Sequence, residues 1–187
     1  IAITDHVDTS NIDFVVPRIL KAVKEVAGYT KVKVLAGAEI THVPPPLIKK
    51  LVDEARRLGA QIVVVHGETL VEPVEPGTNR AAIEAGADIL AHPGLISPED
   101  ASLAREKGVA LEITARKGHC LSNGHVLKTA IAAGARFTLN TDTHSPGDLI
   151  SAEMARKILR GAGLEAEMVD GAFKTAEAIV ERAGKIV

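Results

Sequence analysis

Short apolar runs rich in β-branched residues alternate along this chain with longer segments whose apolar positions recur every three or four residues. The runs at 1–4, 32–37, 61–66, 88–91, 109–113 and 137–141 are continuous rather than alternating. That is the pattern of strands buried on both faces, as in a parallel sheet. Between them the spacing predicts helices over 12–26, 45–58, 79–85, 98–107 and 123–133, with two more over 148–161 and 174–183. Ser97-Pro98 supplies a side-chain cap followed by proline at the first helical position.

One phrase recurs. RLGAQIVVVH, EAGADILAH, EKGVALEIT and AAGARFTLNT each close a helix on glycine and enter a strand. Glycine just past a helix end supplies the left-handed backbone that stops it. Four such joints in succession predict repeated βα units, right-handed crossovers and a parallel sheet. No linker or low-complexity stretch interrupts them, so residues 1–187 read as a single domain. Polar residues gather at the C-terminal end of nearly every strand, where (β/α) barrels carry their chemistry. A doubly wound sheet would concentrate them at one switch point, and no glycine-rich phosphate loop follows the first strand. The pattern favours an incomplete or irregular barrel.

Composition narrows the partners. The net charge is -2 and aromatic residues make up 2% of the chain. Neither a basic field nor stacking platforms are available, which argues against nucleic acid. The single cysteine, Cys120, fits a reducing compartment, and no run is apolar and long enough to span a membrane. The expectation is a cytoplasmic protein that does not engage a membrane.

The strand ends deliver Asp5, His6, Glu39, His66, His92, Glu112, Asp142 and His144. The other histidines, His42, His119 and His125, fall in loops on the same side. Any one of these alone is most simply a cap or a solvated side chain. Taking His6, Glu39, His66, His92, Asp142 and His144 together, the barrel would converge four imidazoles and two carboxylates on one mouth, at a large cost without a cation. This donor set suits zinc, manganese or iron, whereas calcium and magnesium prefer oxygen alone. Six donors exceed the three of a typical catalytic zinc. The excess points to two or three divalent ions, with Glu39 placed to bridge. Such a cluster activates a water to hydroxide and clamps a phosphoryl group.

The loop ITARKGHCLSNGH, residues 113–125, adds Arg116, Lys117 and His119 beside these donors. Arg116 and His119 are candidates to grip a substrate phosphate, and His119 to protonate the leaving oxygen. Lys117 reads as solvated and Cys120 as a small buried thiol.

The phrases ITDH (3–6), AGAEI (36–40), VVVHGE (63–68), ILAHPG (89–94), LEI (111–113) and NTDTHSPGDL (140–149) resemble, in order, the polymerase and histidinol phosphatase (PHP) superfamily, in particular its small histidinol-phosphatase-like members. The resemblance implies a distorted TIM-like (β/α)7 barrel with three metals and phosphoesterase activity. It implies that His6 and His144 hold one ion and that Glu39 bridges two others, one shared with Asp142 and one with His66 and His92. Asp5 would orient a ligand. The family's first strand, bearing H-x-H, has no counterpart before Ile1, so the chain reads as a member missing its first strand and helix. The expected activity is metal-dependent hydrolysis of a phosphate monoester of a small metabolite. The alternatives are a phosphodiesterase or nuclease using the same ions, or a metal-binding module without turnover.

Overall fold

The computed structural model describes residues 1–184. Seven short parallel strands form one curled sheet: β1 (Ala2–Ile3), β2 (His6–Val7), β3 (Leu35–Ile40), β4 (Ile62–His66), β5 (Ile89–Ala91), β6 (Ala110–Thr114) and β7 (Phe137–Asn140). β1 and β2 are two pieces of one lane, because both pair with β3, so the sheet has six lanes. Seven helices accompany it: α1 (Ile12–Val26), α2 (Pro45–Arg57), α3 (Thr78–Ala85), α4 (Pro98–Lys107), α5 (Asn123–Ala133), α6 (Ala152–Gly161) and α7 (Val169–Ala183). The sheet is a parallel half-barrel. Among the described residues its two outer lanes do not pair with each other.

The predicted αβ joints are present. Gly59, Gly86, Gly108 and Gly134 all have positive φ, between 68° and 99°. Ser97 accepts a bond from the Asp100 amide and Pro98 opens α4, as its sequence predicts.

Three boundaries and one loop assignment differ from the sequence reading. The strand predicted over 32–37 lies at Leu35–Ile40 instead. Residues 35–41 are all buried, whereas 31–33 are exposed, and burial on both faces decides where the lane runs. The helix predicted from 148 begins at Ala152, capped by Ser151, because Pro146–Asp148 forms a separate 3-10 turn. The last helix starts at Val169 rather than 174. His125 lies within α5, not in a loop, and its ring bonds the Ile96 carbonyl.

Strand alternation sorts the core into two faces. Ala38, Ile40, Val63, Val65, Leu90, Leu111 and Ile113 face the surrounding helices, packing with residues such as Val16, Ile48, Leu51, Ile83, Ala104 and Leu127. The opposite face carries Leu35, Ile62, Val64, Ile89, Ala91 and Ala110, covered by Ile179 and Ala183 of α7. Large side chains buried this completely contribute about 1.5–3 kcal/mol each. Helix α7 therefore closes the inner face from below and leaves its C-terminal end open.

A polar clamp at the opposite end fixes α7. Asp88 precedes β5, and its carboxylate accepts from Arg56 at 2.5 Å, Arg182 of α7 at 2.6 Å and the Val63 amide at 2.8 Å. Removing it strands a buried amide and two guanidinium groups. Because both arginines retain water, Asp88→Ala should cost about 2 kcal/mol rather than the larger penalty of a fully buried pair. A lowered urea midpoint at unchanged slope would register this, and an unchanged midpoint would refute it.

Candidate metal centre

The inner face places the chemistry. Two-residue periodicity carries it from Leu35 to Glu39 on β3, from Val64 to His66 on β4 and from Ala110 to Glu112 on β6. His6 on β2 stands in register with Glu39. Thus the apolar lower layer becomes a polar upper layer at the strand ends, the arrangement that barrel enzymes use.

Three further residues turn toward this mouth through left-handed backbone. His42 (φ 52°), His92 (φ 27°) and Asp142 (φ 47°) are the non-glycine residues with positive φ among the described residues. Such angles cost an L-residue roughly 1–2 kcal/mol each. Their concentration just after β3, β5 and β7 marks the mouth as the place where strain is tolerated.

His92 is held as a ligand would be. Its Nδ1 bonds Glu112 Oε2 at 3.0 Å, and its amide donates to the same oxygen at 2.9 Å. Glu112 Oε1 accepts from Asn140 at 2.9 Å. A carboxylate only accepts when ionised, so Nδ1 carries hydrogen and Nε2 points away. That Nε2 is buried without a partner, as are Glu39 Oε1 and Thr138 Oγ1. Orphaned buried polar atoms are costly, and two of these three are metal-donor atoms. A carboxylate backing an imidazole is also the usual support of a metal-bound histidine.

His66 and His119 complete a dense cluster. The His66 and His92 rings meet edge-on at 4.4 Å, and the His92 and His119 rings stack at 4.2 Å. One nitrogen from each of His66, His92 and His119 lies within 4.8 Å of the others. The His119 Nδ1 is paired with the Thr69 hydroxyl at 2.6 Å. The residues present therefore fit one or more divalent ions of the imidazole-and-carboxylate type.

The electrostatics agree with that fit. Burial pushes the Glu39 carboxyl up to about 8, opposed by His92 and reinforced by Glu112, Asp142 and Glu72. Burial and neighbouring His92 bring His66 down to about 4. Burial also lowers His119 and His6, the latter further depressed by His144. Burial works against the His92 cation as well, but the bond and charge of Glu112 outweigh it and leave its pKa above the ordinary value.

The other side of the mouth is looser. His6 Nε2 is 3.7 Å from Glu39 Oε2, and its ring meets that of His144 edge-on at 5.5 Å. His144 Nδ1 lies 3.3 Å from Asp142 Oδ1, and both histidines are half-exposed. The two outer lanes of the sheet thus approach each other through His6 and His144. Arg116 donates to Asp148 at 3.2 Å and lies 3.8 Å from Asp142. Its guanidinium sits beside the mouth, already paired with carboxylates. Asp5 accepts from the His6 amide at 2.9 Å.

Two participants escape the sequence reading. Glu72 brings its carboxylate to 3.1 Å from His66 Nε2, 3.3 Å from His42 Nε2 and 3.5 Å from His119 Nε2. His42, placed only on the correct side by its sequence position, joins His66 and Glu72 as a second set of close donors. The available signal was the run VEPVEPG immediately after HGETL, in which proline stiffens an acidic loop.

No family model matches the chain. The fold resembles a chain in the cryo-EM structure of archaeal ribonuclease P with mature tRNA, at TM-score 0.78 and 22% identity, over 100% of this chain and 82% of that one. It also resembles a crystal structure of an amidohydrolase, at TM-score 0.59 and 18% identity, over 89% of this chain and 46% of that one. A. niger ochratoxinase matches at TM-score 0.55 and 22% identity, over 72% of this chain and 37% of the other. At these identities the likenesses establish the half-barrel fold. A sequence relative is much nearer: across 166 residues, 48% are identical, covering 88% of this chain and 76% of the relative, and on that ground the chain belongs to the family of the Methanocaldococcus jannaschii protein described as uncharacterized protein MJ1295.

Proposed function

We propose that this chain is a metal-dependent phosphoesterase related to the PHP superfamily, hydrolysing a phosphate monoester of a small metabolite. The observation that carries the reading is the pair of buried, unpartnered donor atoms, Glu39 Oε1 and His92 Nε2, at the mouth where the His92 ring meets that of His66. His6, Glu39, His66, His92, Asp142 and His144 are the residues to hold two or three zinc, manganese or iron ions. Bound there, the ions supply a nucleophilic water near neutral pH and positive charge against the phosphoryl oxygens. The chain's own residues do the rest. Glu112 fixes the His92 ring so that Nε2 faces the mouth. Arg116 exchanges its contact with Asp148 for a phosphate oxygen, which its planar donors suit. His119, held by Thr69 through Nδ1, keeps Nε2 toward the mouth and passes a proton to the leaving oxygen.

A parallel half-barrel whose polar residues gather at the strand ends supports the reading. The test is hydrolysis of p-nitrophenyl phosphate by metal-stripped protein reloaded with manganese or zinc. Turnover should appear with metal, collapse with chelator and fall to background in His92→Ala. A bis-ester substrate cleaved in preference would replace the monoesterase by a phosphodiesterase. No metal-dependent turnover on either ester would overturn the proposal.

A further inference from the structure

We infer that Glu72 and His42, both carried on loops, form with His66 a separate three-ligand cation site at the mouth. The inference rests on the reading of the mouth as a divalent-cation centre, and it assigns ligands that the strand ends do not supply.

One tautomer of His66 is set by its own loop. His66 Nδ1 lies 3.1 Å from the Gly67 carbonyl. A carbonyl oxygen can only accept, so Nδ1 carries the hydrogen and the neutral ring bears its lone pair on Nε2. That lone pair faces Glu72 Oε2 at 3.1 Å. The same oxygen lies 3.3 Å from His42 Nε2. Two acceptors face one another, which only a proton or a metal cation between them reconciles. A proton would also fit 3.1 Å, and it is the convergence of three donors that points to the cation, since donors about 2.0–2.1 Å from a tetrahedral ion stand about 3.3 Å apart. Imidazole, imidazole and carboxylate are a recognised catalytic zinc set, with the fourth position open.

His66 has one lone pair to give, so it serves one ion. The two close donor sets, His66–His92–His119 and His42–His66–Glu72, share it. On this assignment His66 completes the loop site and leaves His92 and Glu39 to the strand-end ion.

The loop is built to hold Glu72 in place. Glu68 Oε1 accepts from the Gly77 and Asn79 amides at 3.0 and 2.9 Å, and its own amide donates to Asn79 at 3.0 Å. These bonds close residues 68–79 on themselves. Pro73 and Pro76 follow Glu72 and Glu75 and restrict both acids to extended backbone. At Gly94, with φ +60°, a Cβ would run into the Glu68 carbonyl, so the next βα loop packs against this one. His42 meets it from the other side with its ring 5.0 Å from that of His66.

The experiment is calorimetric titration of metal-stripped protein with zinc, paired with cobalt titration followed by visible absorption. Parent, Glu72→Gln, His42→Ala and a control, His125→Ala, are compared. The parent and the control should bind alike. Glu72→Gln and His42→Ala should each lose one equivalent of metal or weaken one binding step by at least tenfold, with a changed cobalt spectrum. Equal stoichiometry, affinity and spectra in all four proteins would overturn the loop site while leaving a strand-end centre standing. No binding by the parent would instead remove the cation centre itself. Glu72 and His42 are partly exposed, and melting curves in chelator confirm that the variants fold.

Discussion

Above about pH 8, in chelator, Glu39→Gln should unfold at a higher denaturant concentration than the parent chain, and it should fail to gain stability from zinc. The reason is the environment of Glu39, raised from 4.5 to about 8 mainly by burial. A carboxyl whose pKa is higher folded than unfolded binds its proton more tightly in the native state. Its stabilising contribution is whole below pH 4.5 and is lost as pH climbs through about 8. Beyond that window the native state holds an ionised carboxylate in a dry site, at a cost on the order of a few kcal/mol. Glutamine keeps the shape and removes the charge, so it removes the loss. It also removes a donor that a cation needs. His66 tilts the other way: its lowered pKa contributes stability that is present above pH 6.5 and lost as pH falls through about 4. The difference between parent and variant isolates Glu39 from this opposing trend. Urea midpoints at pH 5 and above pH 8, with chelator and with zinc, provide the measurement. Parallel midpoints across pH, or an equal response to zinc, would sink the assignment of Glu39 as a metal donor.

Glu112→Ala should be damaging twice over. Glu112 is buried, and it receives the His92 ring, the His92 amide and the Asn140 amide. Burial pushes its carboxyl up, but those bonds and the charge of His92 prevail and hold it below the usual carboxylate range. Removing it strands two buried donors of His92 and the half-buried Asn140 amide, for which about 3 kcal/mol of destabilisation is expected. The second effect reaches the metal. With Nδ1 released, the His92 ring is free to change tautomer and rotate, and zinc affinity should weaken by about 10–100-fold. Glu112→Gln separates the two effects, because an amide fills the space and still accepts through one oxygen. It should recover most of the stability and only part of the affinity. Full zinc affinity in both variants would show that Glu112 is merely a core residue.

Much of this layout is legible in the amino-acid sequence. The Gly59, Gly86, Gly108 and Gly134 joints announce themselves through the helix-ending phrase, and they give the parallel βα order. The strand-end donors follow from that order, because parallel strands deliver their C-termini to one side. Three things were hidden. The centre of LAGAEI, Ala-Gly-Ala-Glu, has little strand preference, so the pattern places β3 three residues early, within KVKVL. The left-handed angles at His42, His92 and Asp142 leave no compositional trace, since nothing local distinguishes them from ordinary post-strand residues. Glu72 reaches His66 only because Glu68 and Asn79 pin the loop, a contact across eleven positions that no spacing rule reveals. Arg116 shows the opposite case: its position beside the mouth follows from its strand, but its pairing with Asp148 depends on a turn whose last residue the sequence pattern assigns to the next helix.

The strained backbone at residues 42, 92 and 142 has an evolutionary reading. Glycine there would relax the chain at once, and it would delete a nitrogen or oxygen donor in the same step. A lineage selected for folding alone would be drawn to make those three exchanges. In any relative, glycine at one of these three positions would therefore signal a mouth that has traded a donor for an easier fold.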